Sequence, residues 1–367
     1  MGTVMEPEAS LGHVLVTGGA GFIGCALSNL LAERASTWTV VDNLHPQVHP
    51  DRVRPAALHP KARLHVADVS EPATWEGLSE EPAPDVVLHL AAETGTGQSL
   101  TQASRHGLVN VVGTTQLIDW LGRRAIVPRH LVLTSSRAVY GEGAWVSAAG
   151  TVVYPGPRTH QQLEAREWDF AGLTGVPVRS DLTQPAPTSV YGATKLAQEH
   201  ILSAWANAHG VRLTIFRMQN VYGPGQALSN PYTGIVTLFS RLARAGRPIP
   251  LYEDGEIVRD FVFIDDVAAA IAAGVTAAPA RVAPFDIGSG ERTTIRQLAE
   301  EIARYHGAPA PTVVGLYRDG DVRHAVADIE RTTTELAWRP QVRLAEGIAR
   351  LQDWIKEVDD DNEEDAR

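Results

Sequence analysis

One cysteine in 367 residues leaves no internal disulfide and no cysteine-rich metal site available to this chain. That residue, Cys25, falls in an apolar stretch and reads as a small buried side chain. Long apolar runs are also missing, and none approaches the roughly 20 residues that a membrane-spanning helix needs. No charged-then-apolar leader precedes the first apolar strand, so a cytoplasmic setting is expected. Cationic residues are in short supply: 32 Lys and Arg face 43 Asp and Glu, a net charge of −11. That balance argues against nucleic acid or an anionic membrane as a main partner. Part of the acidic excess sits in residues 356–367, which read as a solvated, disordered tail. What remains, 44% hydrophobic and 20% charged, is the composition of a soluble globular enzyme. The length suits one large domain or two.

The most informative segment is VLVTGGAGFIG at 14–24. Val14-Leu15-Val16 reads as a first strand, and Gly18, Gly21 and Gly24 follow it with the spacing G-x-x-G-x-x-G. The stretch from Cys25 to Leu31 then reads as a helix. This layout lets a pyrophosphate approach free N–H groups at a helix N-terminus. A second apolar strand, Trp38 to Val41, ends in Asp42, where a carboxylate accepts from a ribose 2′-OH and repels a 2′-phosphate. The expected cofactor is therefore NAD.

Further apolar strands alternate with helix-like stretches at Arg63–Ala67, Asp85–Leu90, Arg129–Thr134 and Val211–Arg217. Alternation of this kind predicts an α/β fold, a Rossmann-type doubly wound parallel sheet covered on both faces. Asp68, Ala91-Ala92, Ser136 and Asn220 follow the strands, where ligands bind in such sheets. Residues 141–188 are long and aperiodic and form an insertion, either a lid or a surface decoration. The expected organisation is an NAD-binding domain over 12–215 and an interleaved lobe over 216–355. That lobe is smaller and mixed α/β.

Tyr191-Gly-Ala-Thr-Lys195 sets a phenol and an ammonium four apart on a helix read as Tyr191 to His209. Such residues share a face, and the cation is expected to lower the phenol pKa toward neutrality. Ser136 at the end of the fifth strand can hold the same substrate oxygen. In these features the chain resembles the extended short-chain dehydrogenase/reductase superfamily, and within it the nucleotide-sugar epimerases and dehydratases. TGGAGFIG at 17–24, LAA at 90–92, TSSRAVYG at 134–141, YGATK at 191–195, FRMQNVYGPG at 216–225 and RDFVFIDDVAAAI at 259–271 carry the likeness. With GDVRHAVADI at 320–329 it spans roughly residues 12–355.

The resemblance implies residue roles. Tyr191 would be the acid/base, Lys195 its partner and a ribose ligand, and Ser136 the polarising hydroxyl. NAD would be held by Gly18, Gly21, Phe22, Ile23, Gly24, Asp42, Asn43, Asp68, Val69, Leu90, Ala91 and Ala92, together with Tyr191 and Lys195. Glu93, Thr94, Arg137, Asn220, Arg259 and Arg318 would bind the nucleotide-diphosphate sugar, the arginines suiting phosphate oxygens. The 4,6-dehydratases carry an Asp-Glu pair after the Ser/Thr, and here those positions are Arg137 and Ala138. The expectation is an NAD-dependent 4-epimerase, an isomerase working through a transient 4-keto sugar. Segments 41–50, 91–100 and 152–160 resemble a branch labelled dTDP-L-rhamnose or UDP-glucose 4-epimerase-like. Gln219 replaces an aromatic that many relatives place before the Asn. The alternatives are a dehydratase, decarboxylase or 4-ketoreductase using the same site, or a non-catalytic NAD-binding protein. His45, His49 and His160 form no ligand cluster, so no metal is expected. The helix near Thr101–Leu121 and the Tyr191 helix resemble those that build a homodimer in relatives.

Overall fold

The computed structural model describes residues 10–228, 234–277 and 282–365. Seven strands build the main sheet: β1 (Gly12–Thr17), β2 (Ala35–Asp42), β3 (Ala62–Val66), β4 (Val86–His89), β5 (His130–Ser136), β6 (Arg212–Met218) and β7 (Ala283–Ile287). Their order is β7-β6-β5-β4-β1-β2-β3, and every pairing is parallel. The main helices are α1 (Phe22–Leu31), α2 (Gly113–Arg123), α3 (Val190–His209), α4 (Ile235–Arg244), α5 (Ile264–Ala277), α6 (Ile295–His306) and α7 (Leu344–Asp365).

Alternation along β1 decides the two layers. Val14 and Val16 face one core with Leu27 and Leu31 of α1 and Ile271 of α5. Leu15 faces the other with Leu117 and Trp120 of α2 and Leu202 of α3. Both faces of the strand are buried because side chains alternate with a period of two. The chain runs outward from β1 to β3, then returns to β4 on the other side of β1. The switch point between β1 and β4 opens a crevice at the carboxyl ends of the strands.

Beyond β6 the chain contributes α5 and β7 to this sheet layer. It also builds a second core from Phe239 of α4, Leu298 and Ile302 of α6, and Ile348 and Leu351 of α7. A Thr294–Gln297 capping box starts α6. The last helix continues through Asp365, over much of the segment expected to be an irregular tail. Docked through Leu351 and Ile355, α7 already holds a nucleus, and each further residue adds a hydrogen bond without renucleation. Among the described residues no helix is long and apolar enough to cross a membrane.

The single helix expected near Thr101–Leu121 is broken. It consists of short helices at Thr96–Thr101 and Ala103–His106, a π-helical turn at Gly107–Val112, and α2. Such turns recur at functional sites, and this one buries Asn110.

The 141–188 insertion contains a three-stranded sheet and a short helix, His160–Glu164. It is clamped to the second lobe. Arg158 donates to both carboxylate oxygens of Glu253 (2.8 and 2.9 Å) and to the Asp321 carbonyl at 2.8 Å. Arg323 joins Asp169 at 2.8 Å, Asp254 at 2.7 Å and Glu253 at 3.1 Å. Arg158 and Glu253 are both buried. Arg158→Ala would strand the Glu253 carboxylate without its bidentate partner, at a cost of about 3–5 kcal/mol. A urea titration of the variant against the parent protein checks this, and an unchanged midpoint would refute the clamp.

Candidate active site

The turn after β1 is the floor of the crevice. Gly18 adopts φ +67°, and a Cβ there would lie 2.6 Å from the Ala91 nitrogen. Only glycine fits, because the turn is left-handed and presses on the end of β4. A Cβ on Gly24 would meet the Gly19 oxygen at 2.5 Å, so Gly24 lets α1 pack against the turn. Phe22 and Ile23 open α1, and their side chains pack against the second core. Asp42 stands at the end of β2. Its Oδ2 accepts from the Ala20 N–H at 3.0 Å and its Oδ1 from the Leu44 N–H at 3.0 Å. Burial pushes this carboxyl above its ordinary range, against the pull of those backbone donors. Asp68 lies below its range, since the Ser70 hydroxyl and N–H and the Asn43 amide outweigh burial.

One cleft of about 780 Å³, counted to its open mouth, is lined by nine of the predicted cofactor residues, while Phe22, Ile23, Gly24, Tyr191 and Lys195 are not among its lining. Gly18, Gly21, Asp42, Asn43, Asp68 and Val69 line it on one side, and Leu90, Ala91, Ala92, Glu93 and Thr94 on the other. A glycine cradle that a Cβ would fill, facing a carboxylate with lone pairs to spare, fits a dinucleotide with a free 2′-OH. Glu93 is anchored: its Oε1 accepts from Arg105 at 2.6 Å, and its N–H donates to Asn110 Oδ1 at 2.7 Å. Thr94 is exposed at the rim.

Ser136 ends β5, and Tyr191 and Lys195 lie in the first turns of α3. Three cues start that helix: the Ser189 side chain accepts from the Gly192 N–H at 3.0 Å, Gly192 packs on the Ala138 carbonyl, and Val190 opens the apolar pattern. The Ser136 hydroxyl lies beside the Tyr191 phenol and favours its ionised form. Burial holds the phenol above its ordinary pKa although Ser136 and the Arg137 charge pull it down, so the lowering expected from the lysine is not found. The lysine does not take the part expected from the Tyr-x-x-x-Lys spacing. Its ammonium donates instead to Gln198 Oε1 at 2.6 Å, one turn further along the helix. Burial pushes Lys195 down to about 7, against the pull of Glu199. A long side chain bends to the nearest acceptor in a dry site, so helix spacing alone did not decide its partner.

A cationic corner adjoins the pair. Arg137 Nε donates to Asn220 Oδ1 at 2.9 Å. Burial and the neighbouring charge of Arg259 push Arg137 down to about 9, still protonated at neutral pH. Arg259 is itself lowered by burial, though Asp321 and Glu142 favour its charge. Asp260 beside it is spent on the backbone, accepting from Ser289 and Gly290, so the two do not form a simple ion pair. Arg318 is exposed, its guanidinium 5.0 Å from the centre of the Tyr252 ring. Sequence reasoning missed Arg105, His89, Asn110 and Gln198. Gln198 carried a signal, since three residues after Lys195 and seven after Tyr191 is the same helix face.

A family model described as the NAD dependent epimerase/dehydratase family matches residues 14–162 and 169–288. A dTDP-L-rhamnose 4-epimerase of Burkholderia thailandensis is 60% identical over 95% of this chain and 96% of its own length. A UDP-glucose 4-epimerase of Mycolicibacterium smegmatis is 32% identical over 94% and 98%. The solved UDP-glucose 4-epimerase of Thermus thermophilus in complex with NAD superposes with a TM-score of 0.74 at 27% identity, covering 94% and 99%. Matches that run from the glycine turn through the lobe beyond the sheet leave one conclusion: the chain belongs to the NAD dependent epimerase/dehydratase family.

Proposed function

We propose that this NAD-dependent nucleotide-sugar 4-epimerase acts on dTDP-L-rhamnose. The observation that carries the reaction class is Ser136 beside Tyr191, with Arg137 and Ala138 directly after the serine. No carboxylate stands at those two positions to take water from C5 and C6. The sugar is assigned on the strength of the 60% identity to the dTDP-L-rhamnose 4-epimerase. NAD, when bound, would supply the acceptor for the C4 hydride and the means of its return. Gly18, Gly21 and the first turn of α1 would hold its pyrophosphate, and Asp42 its adenine ribose.

Tyr191 takes the 4-OH proton and later gives it back, while Ser136 holds the same oxygen. The phenol must lose its proton to act as a base, so turnover rises with pH through its ionisation. Burial holds that ionisation above the ordinary phenol range, and Ser136 and Arg137 offset it only in part. Arg137 and Arg259 grip the diphosphate, and Asn220 aims the first of them. Firm anchoring there lets the 4-keto sugar turn over in the pocket without leaving it. Glu93 shapes the rim through its pair with Arg105 rather than exchanging protons.

We also assign a homodimer. Leu100, Leu108 and Val112 expose apolar side chains around the π-helical turn, a surface that a second copy would cover. Light scattering should give twice the chain mass, and a monomer would rule the dimer out. Purified protein with no added cofactor should convert dTDP-L-rhamnose to a product of equal mass and altered ring C4–H coupling by proton NMR. Loss of water or of carbon dioxide, or turnover only with NADPH, would overturn the epimerase reading in favour of dehydration, decarboxylation or net reduction. Tyr191→Phe should lower kcat by about 10²–10⁴-fold while leaving NAD bound. Full turnover in that variant would remove Tyr191 as the acid/base.

A further inference from the structure

Behind Tyr191 the protein buries a polar network that the proposed chemistry does not yet use. Lys195, Gln198, His89, Thr114, Thr17 and Asn110 are all buried. The partners fix the direction of each bond. Thr114 gives its hydroxyl proton to the Asn110 carbonyl at 2.6 Å. Its oxygen is then an acceptor for the Gln198 amide NH₂ at 2.8 Å and for His89 Nε2–H at 2.9 Å. With Nε2 protonated, His89 Nδ1 accepts from the Thr17 hydroxyl at 2.7 Å. Burial keeps His89 neutral, pushed down to about 3, so it does not compete with the lysine for charge. The Gln198 amide can thus face only one way, with Oε1 toward Lys195.

We propose that Gln198 is a positioning residue: held by Thr114, it fixes the Lys195 ammonium on the helix that carries Tyr191 and keeps it protonated. The carboxamide is the device that does this. A carbonyl oxygen at 2.6 Å favours the ammonium over the amine in a site that otherwise disfavours charge. The remaining charged and titratable neighbours are few. Tyr191 and Glu199 share the helix, His89 comes from β4, and Arg137 lies beside Tyr191. Glu199 is held by Arg217 of β6 at 2.7 Å and by the Ser135 hydroxyl, so its charge is largely neutralised. The network also reaches the cofactor crevice, because the Ala91 N–H donates to Thr17 Oγ1 at 3.4 Å. The proposal rests on Tyr191 and Lys195 being the working pair.

The test is kcat against pH for the holoenzyme and for Gln198→Met, Gln198→Glu and Tyr191→Phe. Gln198→Met keeps the shape and removes the acceptor. The limb set by Lys195 should move down by roughly one unit, the equivalent of one hydrogen bond to a charged group. Gln198→Glu adds a negative charge and should move the same limb up. Melting gives a readout independent of turnover. The unfolded lysine binds its proton throughout, and the folded parent protein regains it below about 7. The folded Gln198→Met variant regains it only at lower pH, so its Tm deficit should widen as pH falls below that point. Unmoved limbs in both Gln198 variants, with a Tm deficit equal at every pH, would make Gln198 a packing residue and overturn the proposal. Tyr191→Phe separates the two levels. If it loses turnover, the acid/base reading stands and the Gln198 variants alone decide the role of Gln198. If it retains turnover, the acid/base reading falls and this proposal with it.

Discussion

The turn after β1 passes so close to the end of β4 that a single methyl group at Gly18 would reach the Ala91 nitrogen. That approach follows from the sheet order, in which β1 and β4 are neighbours although two strands separate them in the chain. Everything in the site is referred to this contact. It aims the N-terminus of α1 into the crevice, brings Asp42 and Asp68 to one wall, and sets Ala91 to Glu93 on the other. A parallel sheet needs right-handed crossovers to return each strand the same way up, so all these residues arrive at one edge.

Charge is handled by two different arrangements. Around the clamp between the insertion and the second lobe, buried guanidinium groups are matched by carboxylates: Arg158 with Glu253, Arg323 with Glu253, Asp254 and Asp169. Such pairing removes the cost of burial and joins two pieces of chain that are distant in sequence. At the reacting edge the match is left incomplete. Arg137 gives one bond to Asn220 and lies next to a second guanidinium, Arg259, and both are lowered by burial. The contrast also explains the insertion. It is neither a free lid nor a loose decoration, because its own arginine is buried in the neighbouring lobe.

Much of the sheet was legible because both of its faces are covered. Buried parallel strands show as uninterrupted apolar runs, and Val14–Val16, Trp38–Val41 and Val211–Arg217 lie within or against strands of the sheet. Strand β7 was not read, since Ala-Pro-Phe-Asp-Ile at 283–287 carries a proline and an aspartate. It takes its place as an edge strand by pairing with β6, where a missing N–H is tolerated. The broken helix before α2 was read as continuous, because periodicity reports the buried face and not which carbonyl each N–H chooses. The Tyr191–Lys195 spacing located both residues correctly on one helix. It did not locate the ammonium, which went to Gln198.

What the sequence determined by itself was local: the glycine turn, the strand ends that carry Asp42 and Ser136, and the α3 start that carries Tyr191. Each follows from residues within a few positions of one another, where backbone conformation and side-chain periodicity act. What only the tertiary structure decided was partnership. Arg137 with Asn220, Glu93 with Arg105, Arg158 with Glu253 and Lys195 within a network ending on His89 join residues from different elements. Burial is the physical reason. In water each group would be satisfied by solvent and its neighbours would matter little. In a dry interior each must find the one donor or acceptor that the packing leaves in reach.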